Sequence, residues 1–68
     1  MGRKDLSQQR TEQLLDAFEA CISEHGLKGA TLQRTAEKAD MNIGMIHHYI
    51  GNRDALLRMS VERLAEKA

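Results

Sequence analysis

A three-residue break, Asp40-Met41-Asn42, separates two short apolar-periodic segments, and it constrains the fold more than any other feature of the chain. Before it, Thr31 is a suitable N-cap for a helix over 32–39, because its hydroxyl can accept from an unpaired N–H of the first turn. After it, Asn42 is an equally suitable cap for a helix over about 43–50. Helices this short, joined this tightly, cannot run antiparallel along their lengths; they cross steeply as a helix-turn-helix. Leu32, Ala36 and Ala39, with Thr35 beside them, form the expected inner face of the first helix. Ile46 and Ile50, one turn apart and underlain by Met41, form that of the second. Ile43, Gly44, Met45, His47 and His48 are left pointing outward.

Two further helices flank this unit. Over 7–25, Leu14, Leu15, Phe18, Cys21, Ile22 and His25 recur at the spacing of one helical face, with Glu12, Asp16, Glu19 and Ser23 opposite. Gly26 is the expected left-handed cap residue, with Leu27 packing back on Ile22. Gly51 stops the third helix and Asn52 caps a fourth over 53–68, whose apolar stripe is Leu57, Val61, Leu64 and Ala68, with Leu56 alongside; Leu57, Val61 and Leu64 are expected in the core or in packing against another domain. No stop signal precedes Ala68, so the helix is expected to run on. The reading is all-α: one small helical bundle over 1–68, three helices plus the start of a fourth. A core of this size rarely supplies more than ~3–5 kcal/mol, so a partner, a second copy or a larger parent is expected.

Several function classes fall away. No apolar run approaches the ~20 residues of a membrane span, and no apolar stretch follows Met1 as a secretory leader would require. The single Cys21 cannot form an intramolecular disulfide. A cytoplasmic location without membrane attachment is the expectation. His47 and His48 are adjacent and diverge by about 100° on a helix. Cys21 and His25 are four apart, but two ligands do not make a metal site. No third group orients a Cys–His nucleophile. Neither metal, cofactor nor enzymatic activity is expected.

Net charge is zero, which excludes a uniform polycation, but the distribution is uneven. Glu12, Asp16, Glu19 and Glu24 make 11–25 net −4, whereas 26–58 and 1–10 are each net +2. The outward face of the third helix has no acid, as a surface facing phosphates requires. Helix N-termini at Thr31, Asn42 and Asn52 can offer N–H groups to phosphate. These features point to the major groove of DNA. The alternative is a helical protein-interaction or dimerisation module working through Met45, Met59 and Leu64.

The ordered set Gly26, Thr31, Ala36, Asp40-Met41-Asn42, Gly44, Ile46, His47-His48-Tyr49-Ile50, Arg53 and Leu56-Leu57 resembles the DNA-binding domain of the TetR family of transcriptional repressors, without a gap over 14–57. The run Gly44-Met45-Ile46-His47-His48-Tyr49 is somewhat similar to the family's betaine-responsive branch. The chain departs from the family at five positions. Asp40 stands for the turn Gly, Thr35 for an aliphatic residue, Ile50 for Phe, His47 for Tyr and Arg53 for Lys.

The resemblance implies a homeodomain-like helix-turn-helix that reads a palindromic operator as a homodimer. It also implies release from DNA by a small-molecule inducer bound to a C-terminal ligand-binding and dimerisation domain outside these residues. It further implies roles. Thr31 and Arg53 anchor phosphates, and His47 and Tyr49 add phosphate contacts. Gln33 reaches an adenine edge, and Ile43 and Met45 meet thymine methyls. His48 donates to a base or phosphate, Gly44 permits close approach, and Arg34 and Asn42 complete the set. Arg3 and Lys4 trail into the minor groove.

Overall fold

The computed structural model describes residues 6–67. Four helices follow one another there: α1 (Leu6–Gly29), α2 (Leu32–Lys38), α3 (Ile43–Tyr49) and α4 (Arg53–Lys67). Arg3, Lys4 and Ala68 lie outside the described residues. α1 is the spine and packs against each of the other three, while α2 also packs on α3.

Two adjacent ridges of α1 account for this arrangement. Leu14 joins Ala36 and Ile46 in one buried cluster, which seats the helix-turn-helix. Leu15, Phe18 and Cys21 join Ala30 and Leu56 in a second, which seats α4. Leu32 and Ile50 pack against both clusters and make the core continuous. Phe18, Leu14, Ile46 and Leu56 are completely buried, each contributing about 1.5–3 kcal/mol over an exposed side chain.

The three caps form as their residue types require. Thr31 Oγ1 accepts from Arg34 N–H at 3.1 Å, Asn42 Oδ1 from Met45 N–H at 2.9 Å, and Asn52 Oδ1 from Ala55 N–H at 2.8 Å. Buried Thr35, where an aliphatic residue is the family's choice, donates its hydroxyl to Thr31 O at 2.8 Å. The polar atom therefore enters the core with its hydrogen bond made.

The turn at Asp40 is a Schellman ending. Met41 N–H donates to Ala36 O at 2.8 Å and Asp40 N–H to Glu37 O at 3.2 Å, the paired bonds that tie off the last carbonyls of a helix. Asp40 itself takes φ +59°, the only positive value among the described residues other than glycine. Asp tolerates this conformation better than most side chains, which is how the turn survives without glycine.

The flanking helices differ in detail from the sequence reading: the Gly26 cap is corrected, and of the two places open to the α4 stripe, Val61 and Leu64 do not take the core of this chain. Gly26 does adopt a positive φ, +79°, but with ψ 169°, and helical geometry resumes for a final turn to Gly29. The break re-aims that turn, so His25 and Leu27 are exposed instead of continuing the buried face. On α4 the buried line is Leu56 and Ser60, while Val61 and Leu64 are 57% and 54% exposed and Leu57 only half-buried. The helix is rotated toward Arg63, whose guanidinium donates to Asp16 on α1 and lies 3.8 Å from Glu19. The Asp16 hydrogen bond makes Arg63 an even stronger base than usual. Two acids that count as a solvated face in the sequence thus meet a base of α4 in the fold.

Candidate nucleic-acid interface

The Asp40 turn presents the first turn of α2 and the outer face of α3 on one continuous stretch of chain. Ile46 is the anchor: it is fully buried, and its neighbours in sequence are pushed outward by helical geometry. Ile43 is 43% exposed, and Asn42, Gly44, His47 and His48 are exposed with it. Met45 and Tyr49 are half-buried, Tyr49 packing beside Leu14, Ala36 and Ile46. The Tyr49 ring also meets His48 edge-on at 4.9 Å. A Cβ added at Gly44 would meet Asn42 Oδ1 at 3.2 Å, so glycine here also keeps the Asn42 cap uncrowded.

On α2, Thr31, Gln33 and Arg34 are exposed. Gln33 is exposed and carries both an amide donor and an acceptor. Arg34 has one nitrogen committed, Nη1 donating to Gly29 O at 3.1 Å, and so stands against the end of α1. Lys28, which the sequence reading does not single out, is exposed and lines the same recess as Thr31, Gln33 and Arg34. Its signal in the sequence is slight: a lone base three residues ahead of a cap.

His47 has a defined chemical state. Its Nδ1 lies 2.8 Å from Gly51 O, and a carbonyl only accepts, so Nδ1 carries the proton. Nε2 of the neutral ring is then an acceptor. It suits a base amino group, and it becomes a donor to phosphate only when the ring is protonated.

Arg53 is placed differently from the free phosphate fork expected of it. Nε donates to Ala30 O at 3.1 Å and Nη2 to Leu27 O at 2.6 Å, and the guanidinium carbon sits 5.9 Å from the centre of the Phe18 ring.

The outer face of α3 carries no acid of its own. No acidic residue occurs over 41–53. Exposed Glu37, in the last turn of α2, and Asp40, in the turn to α3, balance Arg34 and Lys38 over 31–49 and line a recess with Met41, Asn42 and Met45, while exposed Asp54 follows Arg53. Elsewhere, Glu24 on α1 is paired with Lys38 of α2, whose hydrogen bond and charge hold the carboxyl below its ordinary range. No group of three or more His, Cys, Asp or Glu gathers among the described residues, and no described helix is long and apolar enough to cross a membrane.

Comparison with known proteins converges on the same segment. The sequence profile "Bacterial regulatory proteins, tetR family" matches residues 14–59. The chain is 34% identical over 64 residues to the HTH-type transcriptional regulator BetI of Burkholderia thailandensis, covering 94% of this chain and 33% of that protein. It is 33% identical, with the same coverage, to the BetI of Paraburkholderia phymatum. The chain therefore spans about a third of the length of these curated relatives. No solved structure gives a significant match.

Proposed function

The chain belongs to the tetR family of bacterial regulatory proteins, DNA-binding regulators of transcription, and from that premise we propose that residues 31–49 read double-stranded DNA. The observation that carries this reading is the Asp40 turn. It buries Ile46 and turns Ile43, Gly44, His47 and His48 outward on a stretch without acids.

α3 enters the major groove. Ile43 and Met45 contact thymine methyls, and His48 donates to a base or phosphate. His47 turns its Nε2 acceptor to a base amino group, or donates to phosphate when the ring is protonated, while Tyr49 lies along the phosphates and Gly44 lets the DNA backbone approach. The α2 turn supplies Gln33 to an adenine edge, with Thr31, Arg34 and Lys28 toward phosphates, while Asn42 presents the α3 N-terminus. This face is poor in bidentate readers, so each half-site is read weakly. Specificity comes from DNA shape and from two copies on a palindromic operator.

The relatives are three times as long. Homodimerisation and release by a small-molecule inducer are accordingly assigned to a C-terminal domain beyond residues 1–68, with the whole acting as a repressor. A second reading, an interaction module, draws support from exposed Val61 and Leu64; Met45 and Met59, half-buried, contribute less to it.

Fluorescence anisotropy with a labelled random duplex separates the two. The expected result is a log affinity that falls linearly with log salt, with a slope of about −0.9 per phosphate neutralised. Salt-independent behaviour accompanied by self-association of the chain overturns the DNA reading in favour of the interaction module.

A further inference from the structure

We infer that Arg53 is a positioning residue that ties α4 to the α1–α2 corner, and through it fixes Thr31 and Arg34, and that it is not a phosphate ligand. The inference deepens the DNA-reading proposal and rests on it.

Arg53 commits two of its three guanidinium nitrogens within the protein. Nε and Nη2 reach Ala30 O and Leu27 O, partners 23 and 26 residues away in sequence. Its guanidinium faces the ring of Phe18, the centre of the cluster that holds α4 on α1. Arg34 closes on the intervening turn from the other side through Gly29 O. The carbonyls of Leu27, Gly29 and Ala30 thus each receive a guanidinium N–H, two from α4 and one from α2.

The same turn holds itself weakly. Ala30 N–H reaches Leu27 O at 3.3 Å and Thr31 N–H reaches Gly29 O at 3.0 Å. Thr31 is the next residue and caps α2, so its placement depends on where this turn sits. Charge-assisted hydrogen bonds to backbone carbonyls are stronger than neutral ones, which makes the Arg53 pair the dominant restraint. A Lys at this position keeps the charge but replaces a planar fork with a single point.

The test uses the 68-residue chain with Arg53→Lys and Arg53→Ala, read by amide hydrogen exchange and by binding to a random duplex of about 20 base pairs across a salt series. A positioning role predicts at least tenfold faster exchange at Ala30 and Thr31 in both variants. Ile50, whose N–H bonds Ile46 O in the core, should be unchanged. Affinity falls in both variants, while the slope of log affinity against log salt stays at the wild-type value.

If Arg53→Ala lowers that slope by about one contact and Arg53→Lys restores it, Arg53 is a phosphate ligand and the inference is wrong. Equal acceleration at Ile50 also overturns it, because the role is then general stability. Should Arg53→Ala unfold, Arg53→Lys carries the comparison alone. A wild-type chain that binds no duplex sinks the DNA reading instead; the exchange result then decides the tie by itself.

Discussion

Replacing Gly29 with Ala should destabilise the chain, although helix propensity alone says the opposite. Gly29 is the last residue of α1, and an added Cβ would lie 2.6 Å from His25 Cβ and 3.2 Å from Arg34 Nη1. Carbon atoms prefer about 3.5–4.0 Å, so the two turns must part by roughly 1 Å. His25 Cβ is fixed to the backbone and cannot swing aside. Overpacking of this kind costs about 1–3 kcal/mol. The propensity gain from Gly to Ala is at most ~1 kcal/mol and is smaller at a frayed end. Displacing Arg34 also weakens its bond to Gly29 O, worth up to ~1.5 kcal/mol.

The net expectation is a loss of about 1–3 kcal/mol. In a domain of this size that lowers Tm by roughly 5–20 °C, readable by circular dichroism at 222 nm. The double variant Gly29→Ala/His25→Gly removes the atom that the new methyl meets. A double-mutant cycle should therefore return a favourable coupling of about 1 kcal/mol or more. A higher Tm for Gly29→Ala, or coupling within ~0.3 kcal/mol of zero, would refute the packing account of the α1–α2 corner.

Asp40→Gly relieves a left-handed side chain, worth about 1–2 kcal/mol, against the greater entropy that Gly brings to the unfolded state. Urea titration should show a gain of a few tenths to ~1 kcal/mol, whereas a loss would mean the Asp side chain supports the turn. For His47, long-range nitrogen–proton NMR should find the neutral ring protonated at Nδ1, as its contact with Gly51 O demands; the Nε2–H tautomer contradicts the placement. Because Lys38 lowers the Glu24 pKa, the stabilisation from that bridge is present at neutral pH and is lost as pH falls through the lowered value. Both groups are exposed, so Glu24→Gln should change Tm little at pH 7 and not at all at pH 2; a Tm gap that widens toward low pH would reverse this sign.

What could be read from the sequence was mostly local chemistry. Thr31, Asn42 and Asn52 each cap a helix through a side-chain oxygen, and a cap is decided by a few neighbouring atoms. The Asp40 turn follows from the same logic, because apolar periodicity stops on one side of it and restarts on the other. The rotation of α4 could not be read this way. Its residues Leu57, Val61 and Leu64 make the more apolar stripe, yet Leu56 and Ser60 are inside. Leu56 enters the cluster around Phe18 and Arg63 meets Asp16 and Glu19 across the same α1–α4 contact, long-range partners that one-dimensional hydrophobicity does not contain.

The candidate site divides in the same way. The outward face of α3 follows from the burial of Ile46. The engagement of Arg53 with carbonyls 23 and 26 residues earlier depends on how the chain returns to α1. A fork that looks free in sequence has two of its three nitrogens engaged in the fold.

The most direct measurement is a backbone amide chemical-shift map of the chain titrated with duplex DNA at low salt. If the Asp40 turn presents a reading face, the perturbations concentrate over 31–49 and fade as salt is added. Perturbations confined to the Val61 and Leu64 side of α4, or none along α3, would contradict it.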